Sequence, residues 1–127
     1  MIGDGSSADL PIVLLDTNAL LMPFQMGIDI EEEVLREMGR CRIIVPQIVL
    51  GELRAMGSSL RDGSAALKFA QRFEVMETVG LGDDAIVDLA IRTDGTVVTG
   101  DRELIKRLHA ARLRVLRPRQ KKRLELK

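Results

Sequence analysis

The stretch VLLDTNALLM, residues 13–22, places a carboxylate and two small polar side chains inside an apolar run. One interpretation is helix capping, because Asp, Thr and Asn side chains accept hydrogen bonds from the first backbone N–H groups of a helix. The other is a reactive carboxylate at the end of a buried strand. The second interpretation requires further acids near Asp16.

Further acids follow at comparable places. Asp101 follows the apolar run VVTG, Asp83 and Asp84 open the pattern GDDAIVDLA, and Glu52 lies beside apolar residues early in a predicted helix. Each has a local explanation, since the aspartates could cap helices and Glu52 could extend to water. Together these explanations are strained, because acids from four separate segments would meet at one edge of a parallel sheet by accident.

Clustered carboxylates repel one another, so such a cluster is unfavourable unless cations compensate it. Mg²⁺ and Mn²⁺ are hard ions that take oxygen ligands and keep positions open for water and phosphate. Two such ions about 4 Å apart are a common arrangement for cleaving phosphodiesters. The acids therefore predict a site for Mg²⁺ or Mn²⁺, with one or two ions.

Short apolar runs and helical patterns alternate along the chain. This order predicts an α/β fold, a three-layer α/β/α sandwich with a mainly parallel five-stranded sheet. In the helix predicted over residues 29–40, Ile30, Val34, Leu35 and Met38 form the apolar face, and the acidic residues occupy the first turns. The five predicted strands are PIVLLD, RIIVP, EVMETV, TVVTG and LRVLR.

The length of 127 residues and the 46% hydrophobic and 30% charged content indicate one globular domain. We expect a flexible extension over residues 1–9, the domain over 10–117 and a basic tail over 118–127. No secretory signal or bilayer-length apolar run is recognisable, so we expect a cytoplasmic protein without a membrane partner. With one Cys and one His, neither a structural zinc site nor a Ser-His-Asp or Cys-His constellation is expected.

Charge is divided unequally along the chain. Residues 1–101 carry 17 acidic and 8 basic residues, and residues 102–127 carry 11 basic and 2 acidic residues. The basic end is either a solvated tail or the footprint of a polyanion. With no Trp or Tyr, any nucleic acid would be held mainly by its phosphates. The predicted RNA-binding residues are Arg102, Arg117, Arg119, Lys121, Lys122 and Arg123.

Four motifs, LLDTNALL, VPQIVLGEL, GDDAIVDLA and VVTGDREL, occur in this order between residues 13 and 104. Their order and spacing resemble the PIN-domain ribonucleases, which include VapC toxins and rRNA-processing nucleases. The resemblance implies a parallel-sheet fold with a Mg²⁺- or Mn²⁺-dependent endoribonuclease site. It also implies RNA as substrate, an antitoxin or ribosome-assembly factors as protein partners, and a homodimer.

By motif, the resemblance implies that Asp16, Glu52, Asp84 and Asp101 are the catalytic and metal-binding acids. Asp84 is preferred over Asp83 because the family pattern places the acid directly before the AIV run. The implied auxiliary residues are Asn18, Thr99, Asp83, Asp88 and Glu103.

The segment PFQMGIDI and the ending LRPRQKKRL resemble archaeal relatives of the small-subunit rRNA-processing PIN nucleases more than bacterial toxins. Two other classes of function compete with an endoribonuclease. One is a non-catalytic RNA-binding or assembly module on the same fold. The other is a receiver-like phosphotransfer domain, which fits poorly because the middle strand does not end in an acid.

Overall fold

The computed structural model describes residues 9–57, 61–120 and 122–127. This part of the chain contains six strands and six helices. The strands are β1 Ile12–Leu15, β2 Arg42–Pro46, β3 Glu74–Met76, β4 Thr96–Val98, β5 Val115–Arg119 and β6 Arg123–Leu126. The helices are α1 Thr17–Gln25, α2 Ile30–Met38, α3 Gln47–Met56, α4 Gly63–Ala70, α5 Gly82–Thr93 and α6 Arg102–Ala110.

The strands form one sheet in the order β3-β2-β1-β4-β5-β6. All neighbours are parallel except β5 and β6, which pair antiparallel. The predicted α/β fold is confirmed, with six strands where five were expected. The additional strand, β6, lies in the segment predicted as a basic tail, where the polar sequence RLEL gives little strand signal.

β1 lies inside the sheet between β2 and β4, and Val13, Leu14 and Leu15 have no exposed surface. This burial on both faces explains why the strand is apolar without alternation. Leu15 pairs with Val98 of β4. The residues that follow, Asp16 and Thr99, therefore lie side by side at the carboxyl edge of the sheet.

The buried face of α2 differs from the prediction. Ile30 and Val34 are buried as expected, whereas Leu35 is 58% exposed and Glu33 is only 4% exposed. The reason is that α2 packs against β6. Glu33 has a hydrogen-bonding partner there that the local helical pattern does not reveal.

Side chains of α2 satisfy the backbone of β6, the last strand of the sheet. Glu33 Oε1 accepts the Leu124 N–H at 2.9 Å, and Glu37 Oε1 accepts the Leu126 N–H at 3.0 Å. Arg36 donates to the Leu124 carbonyl at 3.0 Å and to Glu33 at 2.8 Å. We call this set the α2–β6 clasp, because it supplies the partners that an edge strand otherwise lacks.

None of the helices in the described residues is both long and apolar enough to span a bilayer. Of the predicted N-terminal extension, only Asp9 falls within the described residues.

The clasp predicts a specific loss of stability on replacing Glu33. Glu33→Ala leaves the buried Leu124 N–H without its acceptor, so the free energy of unfolding should fall by roughly 1–3 kcal/mol. The hydrogen bond from Arg36 lowers the pKa of Glu33 below its ordinary value of 4.5. This contribution is therefore complete above that value and is lost as pH falls through the lower pKa of the folded state.

Urea denaturation between pH 3 and pH 7 measures both effects. The matched control is Glu31→Ala, which removes an exposed carboxylate on the same helix that pairs with Arg72. The clasp is contradicted if the two variants lose equal stability at pH 7.

Candidate active site

The site lies at the carboxyl edge of the sheet beside β1, from which the chain runs outward to β2 and β3 on one side before it crosses over to β4 on the other. Loops diverge at such a point and leave a crevice between them. A cavity of about 480 Å³ occurs there, which we call the acidic cavity. Its lining includes four carboxylates from four segments, those of Asp16, Glu52, Asp83 and Asp101.

Asp16 joins the end of β1 to the start of α1 and is 6% exposed. Its Oδ1 accepts the Ala19 N–H at 2.7 Å, which makes it the N-cap of α1. Its own N–H donates to the Val98 carbonyl at 3.4 Å. The carboxylate is therefore fixed by a helix start and by the neighbouring strand at once.

Glu52 reaches the same cavity from α3. Its Oε1 accepts a hydrogen bond of 2.6 Å from the hydroxyl of Thr17. Thr17, the residue after Asp16, thus orients Glu52. Sequence reasoning assigned Thr17 to capping and missed this contact, because no local pattern indicates a partner 35 residues away.

Asp101 is the N-cap of α6, and its Oδ1 accepts the N–H groups of Glu103 and Leu104 at 2.9 and 3.1 Å. Its own N–H donates to the hydroxyl oxygen of Thr99 at 3.0 Å. The Thr99 hydroxyl also hydrogen-bonds the Asp16 carboxyl. Thr99, fully buried, therefore connects the acids that follow β1 and β4.

Asn18 fixes the loop between β4 and α6. Its side-chain oxygen accepts the Gly100 N–H at 2.7 Å. A Cβ at Gly100 would lie 2.9 Å from that oxygen, so the close approach requires glycine. The predicted ordering roles of Asn18 and Thr99 agree with these contacts.

The acid contributed by α5 differs from the predicted preference. Asp83 lines the acidic cavity, whereas the side chain of Asp84 is 77% exposed and pairs with Arg107 at 2.6 Å. Successive helix residues point about 100° apart, so only one of two adjacent acids can face the cavity. The structure therefore places Asp83 with the other three acids and turns Asp84 toward α6.

Burial first, and the charges of neighbouring acids second, raise the pKa of Asp16 and of Asp83. Burial raises the pKa of Asp16 to about 7, and the charges of Asp101 and Asp83 add to this, while the bonds from Thr99 and Ala19 oppose it. The pKa of Asp83 is also raised, first by burial and then by Asp101, with Arg107 opposing. No Lys or Arg lines the acidic cavity among the described residues.

Comparison with known proteins identifies the family of this chain. Residues 13–121 match the family described as PIN like domain. The chain belongs to the PIN-like domain family. Ribonuclease VapC9 from Archaeoglobus fulgidus is 30% identical over 105 residues, covering 79% of this chain and 77% of the relative. The predicted resemblance to the PIN-domain family is therefore confirmed.

Two solved structures also resemble this PIN-like domain. The PIN domain endonuclease Utp24 matches with a TM-score of 0.76 and 27% identity over 90% of each chain. VapBC2 from Rickettsia felis, bound to a DNA fragment from their promoter, matches with a TM-score of 0.65 and 20% identity. That match covers 85% of this chain and 99% of the other, and it is a likeness of fold.

The donor atoms of the PIN-like site suit a hard divalent ion, since four carboxylates with no lining cation supply only oxygen ligands and negative charge. The spacing of the four carboxylates suits a bound ion less well than their chemistry does. In the described part of the chain, no three His, Cys, Asp or Glu side chains are arranged to bind one ion together. The acids therefore fit the ion by chemistry and charge, and binding requires their side chains to close around it.

The other predicted acids lie outside the acidic cavity. Asp88 pairs with Arg92 of the same helix at 2.9 Å, and Glu103 is exposed at the start of α6. Their predicted auxiliary roles have no support in these contacts.

Three of the predicted RNA-binding residues meet in a second cavity of about 560 Å³, which we call the basic cavity. Arg102, Arg117 and Arg119 line it, and Asn18 lines both this cavity and the acidic one. Arg123 instead lies 3.7 Å from Glu33, and Lys122 lies beside Gly27. Lys121 lies outside the described residues.

The raised pKa of Asp16 predicts that Asp16→Asn stabilises the metal-free protein. An acid with a pKa raised from 3.8 to about 7 binds its proton more tightly when folded, so folding loses stability as pH rises through that interval. Three pKa units correspond to about 4 kcal/mol as an upper limit. Asparagine keeps an acceptor for the Ala19 N–H and carries no charge.

Urea denaturation in EDTA should show Asp16→Asn more stable than wild type at pH 8, with the difference disappearing near pH 4. Asp88→Asn, an exposed acid on α5, is the control and should change little at either pH. A wild-type protein more stable than Asp16→Asn at pH 8 would contradict the prediction.

Proposed function

We propose that this PIN-like domain is a Mg²⁺- or Mn²⁺-dependent endoribonuclease. The observation that carries the proposal is the meeting of Asp16, Glu52, Asp83 and Asp101 in one cavity that no described cation lines. The names of the relatives, a ribonuclease and a PIN domain endonuclease, support the same reaction. Phosphodiester hydrolysis is the chemistry for which such carboxylate clusters are suited.

The four acids would hold the metal, which when bound supplies charge stabilisation and an activated water. Asp16 is the most firmly fixed of these acids, because it directly follows β1 and its Oδ1 caps the start of α1. Thr17 orients Glu52, and Thr99 connects Asp16 to Asp101. The neutral residues Leu21, Ala55 and Ile86 also line the acidic cavity.

The basic end of the chain supplies positive charge that attracts the phosphates of the proposed RNA substrate. Arg102, Arg117 and Arg119 line the cavity next to the acids, where guanidinium groups can bind backbone phosphates. This arrangement supports RNA held through its phosphates, with the acidic cavity acting on one of them. The activity implies no contact with a membrane and no further cofactor.

The first test of the proposal is RNA cleavage by wild type and Asp16→Asn. We expect wild type to cleave RNA internally with Mn²⁺ or Mg²⁺, and EDTA to abolish cleavage. Asp16→Asn should lose at least about 100-fold in rate, because it removes both a charge and a ligand from the centre of the site. Denaturing gel electrophoresis of a labelled RNA measures this.

A second test distinguishes the two adjacent acids of α5. Asp83→Asn should lower the rate about as strongly as a change at Glu52, because Asp83 lines the acidic cavity. Asp84→Asn, identical in chemistry, should keep most of the activity, because its side chain is exposed and pairs with Arg107. Isothermal titration with Mn²⁺ should rank the pair in the same order, and the reverse ranking would restore Asp84 as the ligand.

The competing function is a non-catalytic RNA-binding module on the same fold. It predicts salt-sensitive RNA binding without cleavage and without any effect of Asp16→Asn. Cleavage by wild type that is equal in Asp16→Asn would point to a contaminating nuclease and would sink the endoribonuclease assignment.

A further inference from the structure

Positively charged side chains are concentrated in the basic cavity. Its three guanidinium groups and the carboxylate of Glu125 give a formal net charge of +2. Arg117 and Arg119 both belong to β5, on either side of Pro118. Arg102 begins α6 directly after the capping residue Asp101, so its backbone position is fixed.

Glu125 of β6 contacts these arginines across the β5–β6 pair. Its Oε2 accepts from Arg119, and its Oε1 lies 3.9 Å from Arg117 Nη2. Oε1 is buried and has no hydrogen-bond partner among the described residues. One carboxylate therefore holds one guanidinium directly and attracts a second, and each guanidinium keeps donors for a ligand.

Asn18 forms the common wall of the basic and acidic cavities. Because its amide oxygen accepts the Gly100 N–H, its amino group is the part that can donate to a ligand. A polyanionic strand passing through the acidic cavity would therefore meet a hydrogen-bond donor and then guanidinium groups. No aromatic residue lines the basic cavity among the described residues, so base stacking does not explain it.

We propose that the basic cavity binds the backbone phosphate adjacent to the one cleaved in the acidic cavity, and that Glu125 is a positioning residue for Arg117 and Arg119. This inference rests on the proposed function and assigns a second phosphate subsite to it. Guanidinium groups bind phosphate oxygens through paired hydrogen bonds. An arginine already held in place by Glu125 loses less side-chain entropy when the phosphate binds.

RNA binding without cleavage tests the subsite. A short fluorescein-labelled single-stranded RNA is titrated in EDTA, and fluorescence anisotropy gives the Kd at several salt concentrations. Arg119→Gln should weaken binding about tenfold, as expected for a lost charge-assisted bond. It should also reduce the slope of log K against log salt by about 0.7, the value for one phosphate contact on a single strand.

The matched control is Arg92→Gln. Arg92 is similarly exposed and pairs with one carboxylate, Asp88, but it lines neither cavity. It should leave both the Kd and the salt slope unchanged. Equal effects of Arg119→Gln and Arg92→Gln would overturn the subsite.

The positioning role of Glu125 is tested by Glu125→Ala, because positioning and simple charge competition predict opposite changes in RNA affinity. Glu125→Ala raises the net charge of the cavity by one, so a carboxylate that only competes with phosphate would give tighter RNA binding on removal. A positioning residue gives weaker binding despite the added charge, and Glu125→Gln, which keeps an acceptor for Arg119, should restore it. Tighter binding by Glu125→Ala overturns the positioning role, and circular dichroism confirms that each variant is folded.

Cleavage assays separate this inference from the proposed function. In an active enzyme, Arg119→Gln should raise KM and leave kcat nearly unchanged, because the contact binds ground and transition state alike. Binding that depends on Arg119 in a protein that cleaves nothing would support the subsite and refute the endoribonuclease. Cleavage that is insensitive to Arg119→Gln would support the endoribonuclease and refute the subsite.

Discussion

The carboxyl group of Asp16, held almost without exposure to water, is the constraint to which the surrounding residues are fitted. Burial and two neighbouring acids work against its charge, and only a hydroxyl and one backbone N–H favour it. A charge at this buried position is unfavourable in isolation. The packing of the apolar strand that precedes Asp16 offsets its free-energy cost. A cation bound as proposed would instead favour the charged form of this carboxylate.

The same side chains cap helices and line the acidic cavity. Asp16 and Asp101 each use Oδ1 to begin a helix, α1 and α6 respectively, and both also line the acidic cavity. A cap fixes the carboxyl group relative to a rigid element, which is the property that a catalytic carboxylate needs. The capping interpretation of an aspartate after a buried strand is therefore compatible in this fold with the proposed catalytic one.

Much of the site could be predicted from sequence, because Asp16, Asp101 and Thr99 follow strands whose register is set by apolar runs. Glu52 was predicted by its motif. The motif favoured Asp84 over Asp83, whereas the acid that faces the cavity depends on the rotational position of α5. That position follows the packing of the helix, whose buried residues are Ala85, Ile86, Leu89 and Ala90.

Contacts distant in sequence account for the remaining differences. The burial of Glu33 depends on the Leu124 N–H, 91 residues away, so a helical pattern alone favours Leu35 for the core. β6 itself is polar enough to resemble a tail, and it becomes a strand because β5 pairs on one side and α2 supplies hydrogen bonds on the other. Local propensity was outweighed there by tertiary partners.

The α2–β6 clasp also has a consequence for how this molecule meets others. An open final strand is a template on which a strand of another chain can be added, whether in a complex or in an aggregate. With the outward N–H groups of Leu124 and Leu126 already bonded to glutamates, that end of the sheet offers no such template. The opposite end is β3, which pairs over only three residues. Association by β-augmentation is thus disfavoured at both ends, and partners are directed to side-chain surfaces instead.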